Sequence, residues 1–117
     1  MTFPIDINRE LYKFYGIPDR NADGSMDQAW VDENIVRIVP PYQMFMTWNQ
    51  IPVKTIRVHR KVQSYLLKSL QGIGREFSSA DISKYGLNQF GGCLCEPRPR
   101  RGGDRLSMHS FGAAIDL

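Results

Sequence analysis

Ser107-Met108-His109-Ser110-Phe111-Gly112-Ala113-Ala114-Ile115-Asp116-Leu117 places one imidazole and one carboxylate seven residues apart at the end of a 117-residue chain. An open catalytic zinc site readily mixes these two ligand types. In a straight helix the spacing puts both on one face but about 10 Å apart along the axis, too far for two ligands each about 2 Å from one ion. In a straight strand an odd spacing sends them to opposite faces. They meet only if the chain folds back between them, and Gly112 can take the backbone angles of such a reversal. Beyond it, residues 113–117 alternate like a strand, with Ala113, Ile115 and Leu117 on one face and Ala114 beside Asp116 on the other. The spacing leaves two accounts open. One is a metal half-site; the other is a buried strand after a tight turn, with His109 an ordinary turn residue and Asp116 capping whatever follows.

Ser107-x-His109-x-x-Gly112-x-Ala114-x-Asp116 resembles the SxHxxGxAxD signature of the zinc D-alanyl-D-alanine carboxypeptidases and related L-alanyl-D-glutamate endopeptidases, the cell-wall peptidases of bacteria and of phage lysis modules. It matches at every defined position. The stretch from Gly91-Gly92-Cys93 through Arg98 to Arg101-Gly102 is similar to what precedes the motif in the VanY-like branch, and the likeness runs loosely from about Tyr15 onward. The resemblance implies that His109 and Asp116 are Zn2+ ligands, that Ser107 helps hold the substrate, and that Arg98 binds and polarises the scissile carbonyl. The substrate it implies is a peptidoglycan stem peptide, cut by carboxypeptidase or endopeptidase action with zinc activating the attacking water. The implied fold is the antiparallel-sheet fold of the hedgehog and D-Ala-D-Ala peptidase group.

Family members carry a third ligand, a histidine, and a general-base carboxylate well downstream of this motif, whereas these residues stop at Leu117. Two ligands do not make the three-plus-water arrangement of a catalytic zinc, and nothing here takes the proton from the attacking water. The expectation is therefore a single, incomplete peptidase-like domain over 1–117, its last strand and helix missing, inactive by itself. The alternative is a non-catalytic peptidoglycan-binding or phage-associated module of the same fold. The other histidine, His59, lies in Thr55-Ile56-Arg57-Val58-His59, whose alternation turns Ile56 and Val58 inward and His59 outward with Arg57, so the third-ligand role is not carried onto it.

A composition of 42% hydrophobic and 23% charged residues is that of a globular domain with a modest core. No run approaches a membrane span, and Met1-Thr2-Phe3-Pro4-Ile5-Asp6 lacks the basic start and apolar core of a signal peptide. The expectation is synthesis in the cytoplasm and action at the cell wall after release.

Asp6 to Gly16 has an N-cap residue, a glycine stop, and Ile7, Leu11 and Phe14 spaced for one helical face. Asp19, Asn21, Asp23 and Asp27, with Gly24, have the spacing of a calcium loop, but Trp30 stands where a bidentate glutamate belongs, so a plain polar turn is preferred. Ile35 to Val39 is a β-branched strand ended by Pro40-Pro41, and Tyr42 to Trp48 is a cluster for the core under the sheet. Val62, Leu66 and Leu70 form the stripe of the clearest helix, from Arg60 to about Gln71, with Gly72 and Gly74 ending it. A short helical turn over 77–86 and a loosened strand over 88–95 complete an α+β order. Cys93 and Cys95 are too close for an unstrained disulfide and are expected as thiols.

The net charge of +3 gathers around Arg98, Arg100, Arg101 and Arg105. No aromatics interleave these arginines and no recognition helix follows, which argues against nucleic acid. Recognition of a carboxylate suits Arg98 better. An edge strand at 113–117 without its neighbour exposes backbone donors and acceptors. The 117-residue chain is therefore expected to be marginally stable or to self-associate through it, and sedimentation and unfolding in dilute solution check this; a monomer with a sharp unfolding transition is the contrary outcome.

Overall fold

A computed structural model describes residues 7–19, 21, 25–94 and 108–117. Helix α1, Ile7–Tyr15, turns Leu11, Tyr12 and Tyr15 towards a small core around Trp30 and Phe111. Phe14, expected on the buried face, is exposed and instead lies under the Lys61 ammonium at 4.3 Å. The helix stops at Gly16, whose φ is +83° and where a Cβ would come within 2.7 Å of the Trp30 indole nitrogen. That close approach lets Trp30 Nε1 donate to the Tyr15 carbonyl at 2.8 Å, satisfying one of the acceptors a helix end leaves open.

The sequence assigns no element to 28–34, yet this stretch is helix α2, Gln28–Asn34. Asp27 is its N-cap, accepting from the Ala29 amide at 3.1 Å. Asn21 staples the preceding turn by donating to Ser25 Oγ and the Met26 carbonyl, and Asp19 accepts from the Tyr12 hydroxyl. Each of these three acts as a turn or cap residue; Asp23 lies outside the described residues.

Strands β1, Ile35–Ile38, and β3, Ile56–His59, pair antiparallel in the register Ile35 to His59, Val36 to Val58, Arg37 to Arg57 and Ile38 to Ile56. Alternation sends Val36, Ile38, Ile56 and Val58 to the larger core, which also holds Met44, Leu70, Phe90 and Cys93. Between them lies β2, Phe45–Met46. Met44 is fully buried, as expected for this cluster, whereas Trp48 stands 66% exposed. Helix α3, Gln63–Glu76, lays Val62, Leu66, Leu70 and Ile73 on the sheet. It runs through Gly72 and Gly74, where the sequence predicts an end. Each glycine costs about 1 kcal/mol in a helix. Packing of the partly buried Ile73 against the core offsets part of this cost.

Ser78 caps α4, Ser79–Lys84, through the Asp81 amide. Strand β4, Gln89–Phe90, then pairs with β2, and this second two-stranded sheet is parallel. The 42 residues between the end of β2 at Met46 and the start of β4 at Gln89 supply the crossover that a parallel pair requires. Among the described residues the fold is thus α+β, with four α-helices, one antiparallel and one parallel strand pair, and a 3-10 turn at Met108–Phe111. None of these helices is long and apolar enough to cross a membrane.

His59 corrects the alternation argument. It points away from the larger core, as predicted, but this end of the sheet is covered on both faces and the ring is fully buried. Tyr15 and Trp30 pack on it with ring centroids at 4.9 and 5.9 Å. The Lys61 amide donates to Nδ1 at 3.1 Å, so Nε2 carries the proton and donates to the Tyr15 carbonyl at 2.9 Å. Burial pushes the imidazole below its ordinary pKa; the Tyr15 bond opposes this and the charges of Arg60 and Lys61 add to it. On acidification the unfolded chain takes up this proton first. The contribution of His59 is therefore fully present above a pH of about 6.5 and is lost as pH falls through that value towards the lower folded pKa. Denaturant midpoints should drop between pH 7 and pH 5 by more in the wild type than in His59→Gln.

Candidate metal centre

Phe111 anchors the motif. Its ring is fully buried, with centroids 6.1 Å from Tyr12 and 5.6 Å from Tyr15. The 3-10 turn before it closes when Gly112 N donates to the His109 carbonyl at 3.2 Å and Ala113 N to the Met108 carbonyl at 3.1 Å. Gly112 has φ +68°, and a Cβ there would stand 3.0 Å from both the His59 amide nitrogen and Ile35 Cδ1. Its carbonyl accepts from His59 N at 2.9 Å, tying the turn to the end of β3. The reversal that the spacing requires is thus made at Gly112.

Beyond the turn Ala113 packs on the Trp30–Phe111 core and Ile115 on the larger one. Asp116 is held by its backbone on one side: its amide donates to the Gly92 carbonyl at 2.9 Å, and Gly91 N donates to its carbonyl at 2.8 Å. A side chain at Gly91 would meet Asp116 Cβ at 3.0 Å. These bonds fix Cα of Asp116 while its side chain stays 66% exposed.

His109 Nε2 and Asp116 Oδ1 come to 3.3 Å. His109 Nδ1 lies 2.9 Å from the Cys93 carbonyl, an acceptor, so this nitrogen carries a proton. In the neutral imidazole the Nε2 lone pair then faces a carboxylate oxygen, and two acceptors at this distance need a cation between them, either a proton or a metal ion. The separation suits a metal: two donors each about 2.0–2.1 Å from a tetrahedral ion stand about 3.3–3.4 Å apart. A backbone carbonyl on the far ring nitrogen is also the usual means of orienting a ligating histidine. These residues therefore fit the ion that the motif implies. With His109 at 22% side-chain exposure the pair is open to solvent on the Asp116 side.

Among the described residues no group of three or more His, Cys, Asp or Glu side chains gathers around a point. His59 is engaged elsewhere. Cys93 Sγ is buried in the larger core, 3.7 Å from the Gly112 carbonyl. Ser107, Arg98 and Cys95 lie outside the described residues, as do the other arginines of the basic stretch. The roles that sequence reasoning misses are those of backbone: the Cys93 carbonyl that orients His109, and the Gly91–Gly92 pair that pins Asp116. The adjacent glycines were the signal available.

Gly112→Ala forces a non-glycine residue into the left-handed region and against β3. It should cost about 1–3 kcal/mol in denaturant unfolding, far more than the same change at the solvent-open Gly72. Comparison of the chain with protein-family models, curated proteins and solved structures finds no match.

Proposed function

We propose that this chain carries the His–Asp half of a zinc centre in a peptidase that hydrolyses peptide bonds of bacterial peptidoglycan stem peptides, with the hedgehog and D-Ala-D-Ala peptidase type of fold. The observation that carries the reading is the 3.3 Å approach of His109 Nε2 to Asp116 Oδ1 with Nδ1 held by the Cys93 carbonyl. The motif match at Ser107, His109, Gly112, Ala114 and Asp116 supports it independently.

In this reading His109 and Asp116 hold the ion, Arg98 binds and polarises the scissile carbonyl, and Ser107 steadies the substrate. Bound zinc supplies Lewis-acid activation of water and carbonyl. The chain's own residues do the positioning. The Cys93 carbonyl keeps the protonated ring nitrogen turned away from the ion, and the Gly91 and Gly92 bonds keep Asp116 from swinging out. A guanidinium at Arg98 is suited to a carbonyl or carboxylate because its planar fork donates two parallel hydrogen bonds.

A second reading, a non-catalytic peptidoglycan-binding or phage-associated module, is favoured by the want of a third donor near the pair among the described residues. The two separate on chemistry, since a binding module retains stem peptide without zinc-dependent cleavage.

Calorimetric zinc titration at neutral pH tests the metal centre. Binding is expected in the wild type, weakened at least about tenfold in His109→Ala and in Asp116→Ala, with unfolding of the exposed Asp116 variant little changed. With the two donors found among the described residues the affinity should be weaker than micromolar and stem peptides should survive incubation with these 117 residues. Affinity unaffected by either substitution would remove the proposal.

A further inference from the structure

The β1–β3 pair is covered on one face along its whole length but only half covered on the other. On that second face Ile35 and His59, partners in register, lie against the Trp30–Phe111 core, with Ile35 partly and His59 fully buried. The next pair on the same face is Arg37 and Arg57, directly opposite each other and both exposed. Like charges directly opposite in an antiparallel pair repel. Among the described residues neither guanidinium has a carboxylate within ion-pair distance. Arg37 makes a 3.4 Å contact with Thr55 Oγ1, and the nearby acid, Asp32, accepts from Gln28 Nε2 at 2.7 Å.

The two arginines line an open groove of about 800 Å³ whose apolar walls are Met26, Val31 and Leu94 and whose lining includes Asp32. This groove adjoins the metal centre through one segment. Leu94 lines it, the Cys93 carbonyl holds His109, and Gly92 pairs with Asp116. An unrelieved cation pair in a partly apolar cleft is a place where an anion with two acceptor oxygens lowers the energy, because each guanidinium can donate to one of them.

We propose that Arg37 and Arg57 form a subsite that grips a carboxylate of an acidic peptide lying across the sheet towards His109 and Asp116. That the peptide is a stem peptide rests on the function proposed above; the anion subsite rests on the arginine pair itself. A peptide suits the groove better than a nucleic acid does. Among the described residues only two cations line it, and Asp32 would oppose a run of phosphates.

The test is calorimetric binding of N-acetyl-L-alanyl-D-glutamate and of the same peptide with its carboxylates amidated. The acid should bind about tenfold or more tightly than the amide, and Arg37→Gln or Arg57→Gln should erase the difference. The same substitutions should raise the melting temperature of the free protein, since each relieves the repulsion. Equal binding of acid and amide, a preference surviving in both variants, or no binding of the acid at millimolar concentration overturns the proposal. So does loss of selectivity accompanied by a lower melting temperature, which makes the arginines structural. So too does an oligonucleotide that binds through Arg37 and Arg57 where the peptide does not. Zinc binding in the same samples keeps the two readings apart. Its absence with acid selectivity intact removes the peptidase reading and leaves the subsite, and the converse removes the subsite alone.

Discussion

The carbonyl of Gly112 accepts a hydrogen bond from the His59 amide, and through that bond the last turn of the described chain is registered on the end of β3. The contact works only because Gly112 lacks a Cβ and holds a positive φ. On one side of it Phe111 enters the small core with Tyr12, Tyr15 and Trp30; on the other, Ala113 and Ile115 start towards the two cores. His59 returns the connection to the N-terminal helix, since its ring reaches the same Tyr15 carbonyl that the Trp30 indole uses. Helices α1 and α2, strand β3 and the motif thus share a few hydrogen bonds, and the packing of α1 and α2 becomes a condition for the geometry of the last ten residues.

Apart from this interior stand two close pairings of polar side chains. His109 and Asp116 bring two acceptors to 3.3 Å, and Arg37 and Arg57 bring two cations into register. They carry opposite needs, one for a cation and one for an anion. The segment 92–94 separates them, contributing backbone to the first and Leu94 to the groove of the second. Natural sequences concentrate such inconsistencies where ligands bind, because the ligand supplies the missing charge. On the two proposals above, a zinc ion and the carboxylate of an acidic peptide would each supply the charge that its pair lacks, on either side of one segment.

Much of this was legible in residues. Leu70 and the stripe around it marked α3, the alternation of Ile56 and Val58 marked β3, and the prolines after Val39 marked the end of β1. A meeting of His109 and Asp116 required a reversal between them, since no regular element could join them, and Gly112 was the candidate for it. Helix α2 escaped notice because its short sequence has no repeating stripe and rests on a cap and one buried indole. The persistence of α3 past two glycines depended on what Ile73 would meet, and the burial of His59 on a helix forty-four residues away in sequence.

By itself, then, the sequence determined the α+β class, the inward face of β3 and the place at Gly112 where the chain could reverse between the two ligand-type residues, all consequences of backbone stereochemistry and of apolar periodicity within a few residues. Only the tertiary structure decided the strand register that sets Arg37 opposite Arg57, the parallel pairing of β2 with β4, the second covered face over His59 and the backbone carbonyl that aims His109. Each of these depends on which distant segments come together, and local preference carries no information about a partner far along the chain.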